Sequence, residues 1–215
     1  MLKQPQRGVD MEPSSETGRR RCARCRRPES HCLCAAIPRV PSDTSVIVIQ
    51  HPSEAEHALN TARLLVLGLC NATLVTAETL SPELEALLLD PTWHTELLFP
   101  SPSASLISPH LSHAKPRRLV LLDGTWRKAR KLLHLNSVLR SLPHVELPSG
   151  IPSRYRLRKA PAAGALSTIE AGVAALTIIE PATNFNPILR PFEVLIEGQI
   201  TAMGIHTYQQ NHPES

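Results

Sequence analysis

Asp123-Gly124-Thr125-Trp126 sets a carboxylate, a hydroxyl and an indole at the point where a strand should end and a helix should begin. The run Leu119-Val120-Leu121-Leu122 before it is short and apolar, is bounded by Pro116 and Gly124, and reads as a buried strand. After it, Trp126, Ala129, Leu132, Leu133 and Leu139 fall near one helical face, and Arg127, Lys128, Arg130 and Lys131 fall elsewhere. A carboxylate at the carboxyl end of a strand lies where α/β sheets place their ligands. Asp123 and Thr125 also suit helix capping, and an aspartate can do both jobs.

Cys22, Cys25, Cys32 and Cys34 follow the spacing Cys-x2-Cys-x6-Cys-x-Cys. Four thiolates on short loops satisfy a tetrahedral zinc ion, and an all-cysteine set is a common structural site. So short a segment cannot bury a core, so metal would supply its folding energy. Disulfides and an iron–sulfur cluster are the alternatives; the absence of an apolar export signal argues against the first. His31 lies inside the cluster as a further candidate ligand. Cys70 ends an apolar helix and reads as a small buried hydrophobe.

A second polar constellation is Ser167-Thr168-Ile169-Glu170, which matches a capping box ahead of a helix. Its structural role is to close that helix; the free N–H groups there also suit a ligand carboxylate. Upstream, Arg154, Arg156 and Arg158 alternate with Tyr155 and Leu157, so an extended chain would put the three arginines on one face. That face suits a phosphate backbone, or is the exposed side of an edge strand. His51-Pro52-Ser53-Glu54 reads as a loop after a strand. Asn60 and Thr61 interrupt the next apolar face, and either hydrogen-bond locally or face a site.

The elements that must position these groups alternate along the chain. Strands are expected at 44–50, 72–75, 96–99, 119–122 and 144–147. Helices are expected at 54–69, 82–89, from 126, from about 167 and at 191–203, with a Pro/Ser/His-rich loop over 100–116 that carries His110 and His113. This order argues for an α/β fold with a mostly parallel sheet and flanking helices. Aromatic residues make up only 3% of the chain, so the core must be aliphatic. The expected organisation is a disordered tail over 1–18, a zinc knuckle over 19–40, an α/β domain over 41–205 and a C-terminal tail over 206–215. No apolar stretch approaches the roughly 20 residues that span a bilayer, so a cytoplasmic protein without a membrane partner is expected. The net charge of +4 is mild, but it is gathered in clusters at 19–27, 127–131 and 154–159, which favour a polyanion such as nucleic acid.

Together these motifs resemble the DTW-domain family, whose Asp-x-Thr-Trp signature stands here at 123–126. The likeness extends to the cysteine knuckle, the His51-Pro52-x-Glu54 segment with Asn60-Thr61, and 167–171. It covers residues 22 to about 203 and is nearest to bacterial tRNA-uridine aminocarboxypropyltransferases. The resemblance implies a SPOUT-like, knotted α/β fold. It also implies transfer of the 3-amino-3-carboxypropyl group of S-adenosylmethionine to N3 of a tRNA uridine, with release of 5′-methylthioadenosine. On that likeness Asp123 is the candidate general base. Leu122, Gly124, Thr125, Trp126, Ser167, Thr168 and Glu170 are candidate cofactor contacts, and the four cysteines hold structural zinc. Arg127, Lys128, Arg130, Arg154, Arg156 and Arg158 are candidate RNA contacts, and a monomer is expected. Two other readings share these motifs: a SPOUT-like RNA methyltransferase and a non-catalytic zinc-knuckle RNA-binding protein.

Overall fold

The computed structural model describes residues 20–110, 115–155, 165–204 and 206–208. The expected tail over 1–18, His113, Arg156 and Arg158 lie outside them. The elements in chain order are β1 (Ser45–Gln50), α1 (Ala62–Gly68), β2 (Ala72–Thr76), α2 (Pro82–Leu88), β3 (His94–Leu98), β4 (Ser105–Leu106) and β5 (Arg117–Asp123). After them come α3 (Trp126–Leu135), α4 (Ser137–Ser141), β6 (His144–Glu146), α5 (Thr168–Ile179) and α6 (Arg190–Met203). Among the described residues, no helix is long and apolar enough to cross a membrane.

The strands form one six-stranded sheet in the order β2-β1-β5-β3-β6-β4, with every pairing parallel. Side chains alternate between its two faces, and both faces are covered, which explains the nearly continuous apolar runs of β1 and β5. Val46, Val48, Leu119 and Leu121 pack with α1, α5 and α6. Ile47, Ile49, Val120 and Leu97 pack on the other face with α2, α3 and α4. The chain therefore builds three layers, helix–sheet–helix. Leu33 and Ile37 of the N-terminal segment join the first of these cores, which fastens the knuckle to the sheet domain.

Strand order reverses around β1 and β5, and their register sets Gln50 opposite Asp123 at the carboxyl ends. The next residue, His51, donates its N–H to the Asp123 carbonyl at 3.0 Å. Such a reversal opens a crevice at the strand ends.

Two expected helices prove shorter, each for a polar reason. The helix expected over 54–69 is a 3-10 turn at Pro52–Glu54 followed by α1. Asn60 sits between them, donating Nδ2 to the Glu54 carbonyl (3.0 Å) and accepting the Arg63 N–H at Oδ1 (3.1 Å). Its polarity therefore serves a local turn. The helix that starts at Trp126 stops before Asn136, so Leu139 belongs to α4 rather than to its face. Asn136 is buried; its Oδ1 accepts the Leu80 N–H (2.8 Å), and its Nδ2 donates to the Glu78 and Leu132 carbonyls (3.0 and 2.7 Å). The 100–116 loop contributes β4, which pairs with β6. Cys70 is exposed rather than buried, because α1 ends at Gly68 and Cys70 lies in the link to β2. The described part of 151–155 forms no strand.

Candidate functional site

Asp123 ends β5 with 8% of its surface exposed. Its Oδ2 accepts a hydrogen bond from Gln50 Nε2 at 2.8 Å, and its Oδ1 accepts one from the Thr168 hydroxyl. Gln50 is itself fixed at Oε1 by the Thr76 hydroxyl, at 3.4 Å. Burial pushes the Asp123 carboxyl above the usual carboxylate range, and the two hydrogen bonds oppose that rise. The bonds use one acceptor position on each oxygen, and a carboxylate has about four. The group can therefore still accept a proton or an N–H from a ligand.

A cavity of about 360 Å³ opens beside this carboxylate, within the range of small-molecule sites. Its walls are mainly apolar, with Leu98, Phe99, Leu122, Trp126 and Leu147, and its polar groups are Thr168, Ser149 and Glu146. Trp126 is 44% exposed, not packed in the core as its place in the apolar periodicity suggests. As the first residue of α3 it stands beyond the carboxyl end of β5 and meets Phe99 edge-to-face, with ring centroids 5.8 Å apart. Gly124 has φ of +153° and also lines the cavity. A side chain there would meet Lys128 Cβ at 3.1 Å, so the close approach favours glycine.

Of the predicted cofactor residues, Leu122, Gly124, Trp126 and Thr168 surround this cavity. Thr125 is outside its wall and caps α3, its hydroxyl accepting the Lys128 N–H at 3.4 Å. Ser167 and Glu170 are buried and bonded to each other. Glu170 accepts the Ser167 N–H (2.8 Å) and hydroxyl (2.6 Å), the Arg154 N–H (2.5 Å) and the Ser153 hydroxyl (3.1 Å). Its carboxylate thus ties the 148–155 segment, one wall of the cavity, to the start of α5.

Around the crevice lies a ring of charge. His51 Nδ1 accepts the Ser53 N–H (3.3 Å), which leaves Nε2 to donate to Glu78 at 2.8 Å. Lys131 also reaches Glu78 (2.6 Å), and Lys128 reaches Glu54 (2.6 Å). Arg154 pairs with Glu193 (2.6 Å), while Arg127 and Arg130 are exposed on α3. Gln50, Phe99, Glu78 and the 147–151 loop escaped the sequence reading. Gln50 carried one usable signal, a lone amide closing an apolar strand.

The cysteines converge as their spacing predicted. The four sulfurs lie within 4.8 Å of one another, with Cys22–Cys34 at 3.6 Å and Cys25–Cys32 at 3.8 Å. A tetrahedron with metal–sulfur bonds of about 2.3 Å has sulfur–sulfur edges of about 3.8 Å, so the set fits zinc. The thiols are free rather than disulfide-bonded. Backbone N–H groups of Cys25 and Arg24 lower the Cys22 thiol to about 6, whereas burial pushes the Cys34 thiol up to about 12, so the fold by itself favours one thiolate of the set more than the others. His31 is exposed, stands outside the group and bonds Ser30 Oγ at 2.9 Å.

A family model described as the DTW domain matches residues 19–200. Among curated relatives, tRNA-uridine aminocarboxypropyltransferase 2 of Macaca fascicularis is 31% identical over 204 residues, covering 89% of this chain and 67% of that protein. The Drosophila melanogaster protein of the same name is 31% identical over 203 residues, covering 90% of this chain and 79% of its own. tRNA-uridine aminocarboxypropyltransferase A of Arabidopsis thaliana is 31% identical over 208 residues, with 81% and 79% covered. These relatives come from animals and a plant. No solved structure matches the chain.

Two outcomes follow from the site alone. Thr168→Val removes a donor that holds the Asp123 carboxyl down, so carbon NMR should show that carboxyl titrating at higher pH than in the parent protein. An unmoved titration would mean that Thr168 does not govern it. Cys22→Ser should release the bound metal and lower solubility, and a full zinc equivalent retained by the variant would contradict the four-cysteine site.

Proposed function

The chain belongs to the DTW-domain family, and on that premise we propose that it is a tRNA-uridine aminocarboxypropyltransferase. It moves the 3-amino-3-carboxypropyl group of S-adenosylmethionine to N3 of a tRNA uridine. The names of the relatives support tRNA as substrate. The observation that carries the chemistry is the buried Asp123, hydrogen-bonded to Thr168 on the wall of an apolar cavity.

The uridine N3–H is a weak acid and must lose its proton to act as a nucleophile. Asp123, made more basic by burial, takes that proton. The N3 lone pair then forms a bond to the Cγ methylene. The carbon–sulfur bond breaks towards the sulfonium, and the products are the N3-substituted uridine and neutral 5′-methylthioadenosine. The donor supplies its own activated leaving group, so the residues are needed chiefly to orient it. Leu98, Phe99, Trp126 and Leu147 shelter its adenosine and thioether portions from water. Thr168 holds the Asp123 carboxylate at the border of that space. Gln50 holds it from the β1 side.

Zinc at Cys22, Cys25, Cys32 and Cys34 is structural in this reading and takes no part in the reaction. Arg127 and Arg130, with Lys128 and Arg154 beside their glutamate partners, meet tRNA phosphates. A relationship to the SPOUT class, knot included, and a monomer working in the cytoplasm belong to the same proposal.

Incubation of the protein with unmodified tRNA and S-adenosylmethionine, followed by mass spectrometry of the nucleosides, tests this reading. A uridine heavier by one aminocarboxypropyl group, with 5′-methylthioadenosine released, is the expected result. A methylated nucleoside with S-adenosylhomocysteine would instead mark a methyltransferase. Bound but unaltered tRNA, across all the tRNAs of a cell, would mark a binding protein.

A further inference from the structure

A second cavity, of about 250 Å³, lies between the cysteine knuckle and the 55–64 segment. Four arginines line it, Arg21, Arg26, Arg27 and Arg63, against a single acid, Glu56. Glu56 is engaged by Arg21 at 2.9 Å. Arg27 and Arg63 are half-buried, and among the described residues neither guanidinium has a hydrogen-bond acceptor, although Cys25 and Tyr155 attract that of Arg27 electrostatically. A guanidinium partly withdrawn from water with no acceptor is costly. The fold tolerates two of them facing one space, from two separate elements.

Both are held in place. Arg63 stands in the first turn of α1, where its N–H is fixed by Asn60. Arg27 closes the knuckle turn, its carbonyl accepting the Cys22 N–H at 2.7 Å. Arg26 completes that turn with φ of +62°, a left-handed conformation uncommon for a non-glycine residue. His57 also lines the cavity. The segment that walls this cavity follows directly on His51, whose N–H is held by the Asp123 carbonyl at 3.0 Å, and on Glu54, which reaches Lys128 of α3 at 2.6 Å.

We propose that this pocket binds one backbone phosphate of the RNA whose uridine reaches Asp123, with Arg63 and Arg27 as its two forks. Guanidinium forks match phosphate oxygens in pairs, and among the described residues no carboxylate is paired with either of these two. Only the source of the phosphate rests on the tRNA reading above; the anion site rests on the arginines. A competing role for the arginines, balancing the charge of the metal thiolates, applies to Arg27 beside Cys25 but does not require Arg63 from α1.

The test uses the full, zinc-loaded chain and unmodified tRNA, with affinity measured across a range of salt concentrations. The variants are Arg63→Gln, Arg27→Gln and Arg63→Lys, each checked for zinc content and thermal unfolding. Each glutamine variant should weaken binding and reduce the slope of log affinity against log salt by about one. Arg63→Lys should keep most of that slope, since the charge remains. Unchanged affinity and slope in Arg63→Gln, with zinc and unfolding temperature intact, would overturn the proposal. Zinc loss in Arg27→Gln alongside a silent Arg63→Gln would overturn it in favour of charge balance at the metal. Saturable binding of inorganic phosphate that Arg63→Gln abolishes, without any change in the tRNA slope, would assign the pocket to a free anion and equally overturn it. Nucleoside analysis of the same wild-type mixtures separates the two readings. Reduced slopes without an aminocarboxypropyl product would uphold the phosphate site and refute the reaction.

Discussion

A buried carboxylate must be held by donors or it will not stay charged, and this constraint organises the site end of the molecule. Asp123 meets it with one hydrogen bond from Gln50 on β1 and one from Thr168 on α5. Three elements distant in sequence are thus tied at one point. The β1–β5 register supplies the first donor by setting Gln50 opposite Asp123. Glu170 supplies the second indirectly, because its bonds to Ser167, Ser153 and Arg154 fix where α5 begins. A residue that has no place on the cavity wall therefore governs one that does.

Burial and the two donors act on this carboxyl in opposite directions. Burial raises its affinity for a proton, and the two donors limit the rise. That balance suits a group that must take a proton from a weakly acidic ring nitrogen. Next to it the apolar cavity offers shelter from water and few competing charges. Glu146 is the ionisable residue on its wall, and at the rim Glu54 and Glu78 engage Lys128, Lys131 and His51. The knuckle adds a second fixed body, joined to the main core through Leu33 and Ile37.

Much of the layered fold was legible, because both faces of a parallel sheet are buried and its strands read as apolar runs. The cysteine spacing was legible for a similar reason: four ligands on short loops have few other uses. Helix ends were harder. Asn60 and Asn136 each look like one polar interruption of an apolar face, yet each turns its side chain onto nearby backbone and ends the periodicity. Trp126 fitted the helical pattern by spacing, but the first position of a helix, beyond the carboxyl end of a strand, need not face the core. Gln50 and Phe99 matter through partners 73 residues and 27 residues away, at Asp123 and Trp126. Strand order decides such pairings, and no local pattern encodes it.

The measurement that bears most directly on the account is the rate of uridine modification by Asp123→Asn, taken with its affinity for tRNA. Asparagine keeps the size of the side chain and its acceptor towards Thr168 but cannot take a proton. Proton transfer by a positioned group contributes about 10²- to 10⁴-fold. The account predicts a loss of rate in that range with tRNA affinity little changed. Activity close to that of the parent protein, in a variant that folds and binds tRNA normally, would contradict it and remove Asp123 from the chemistry.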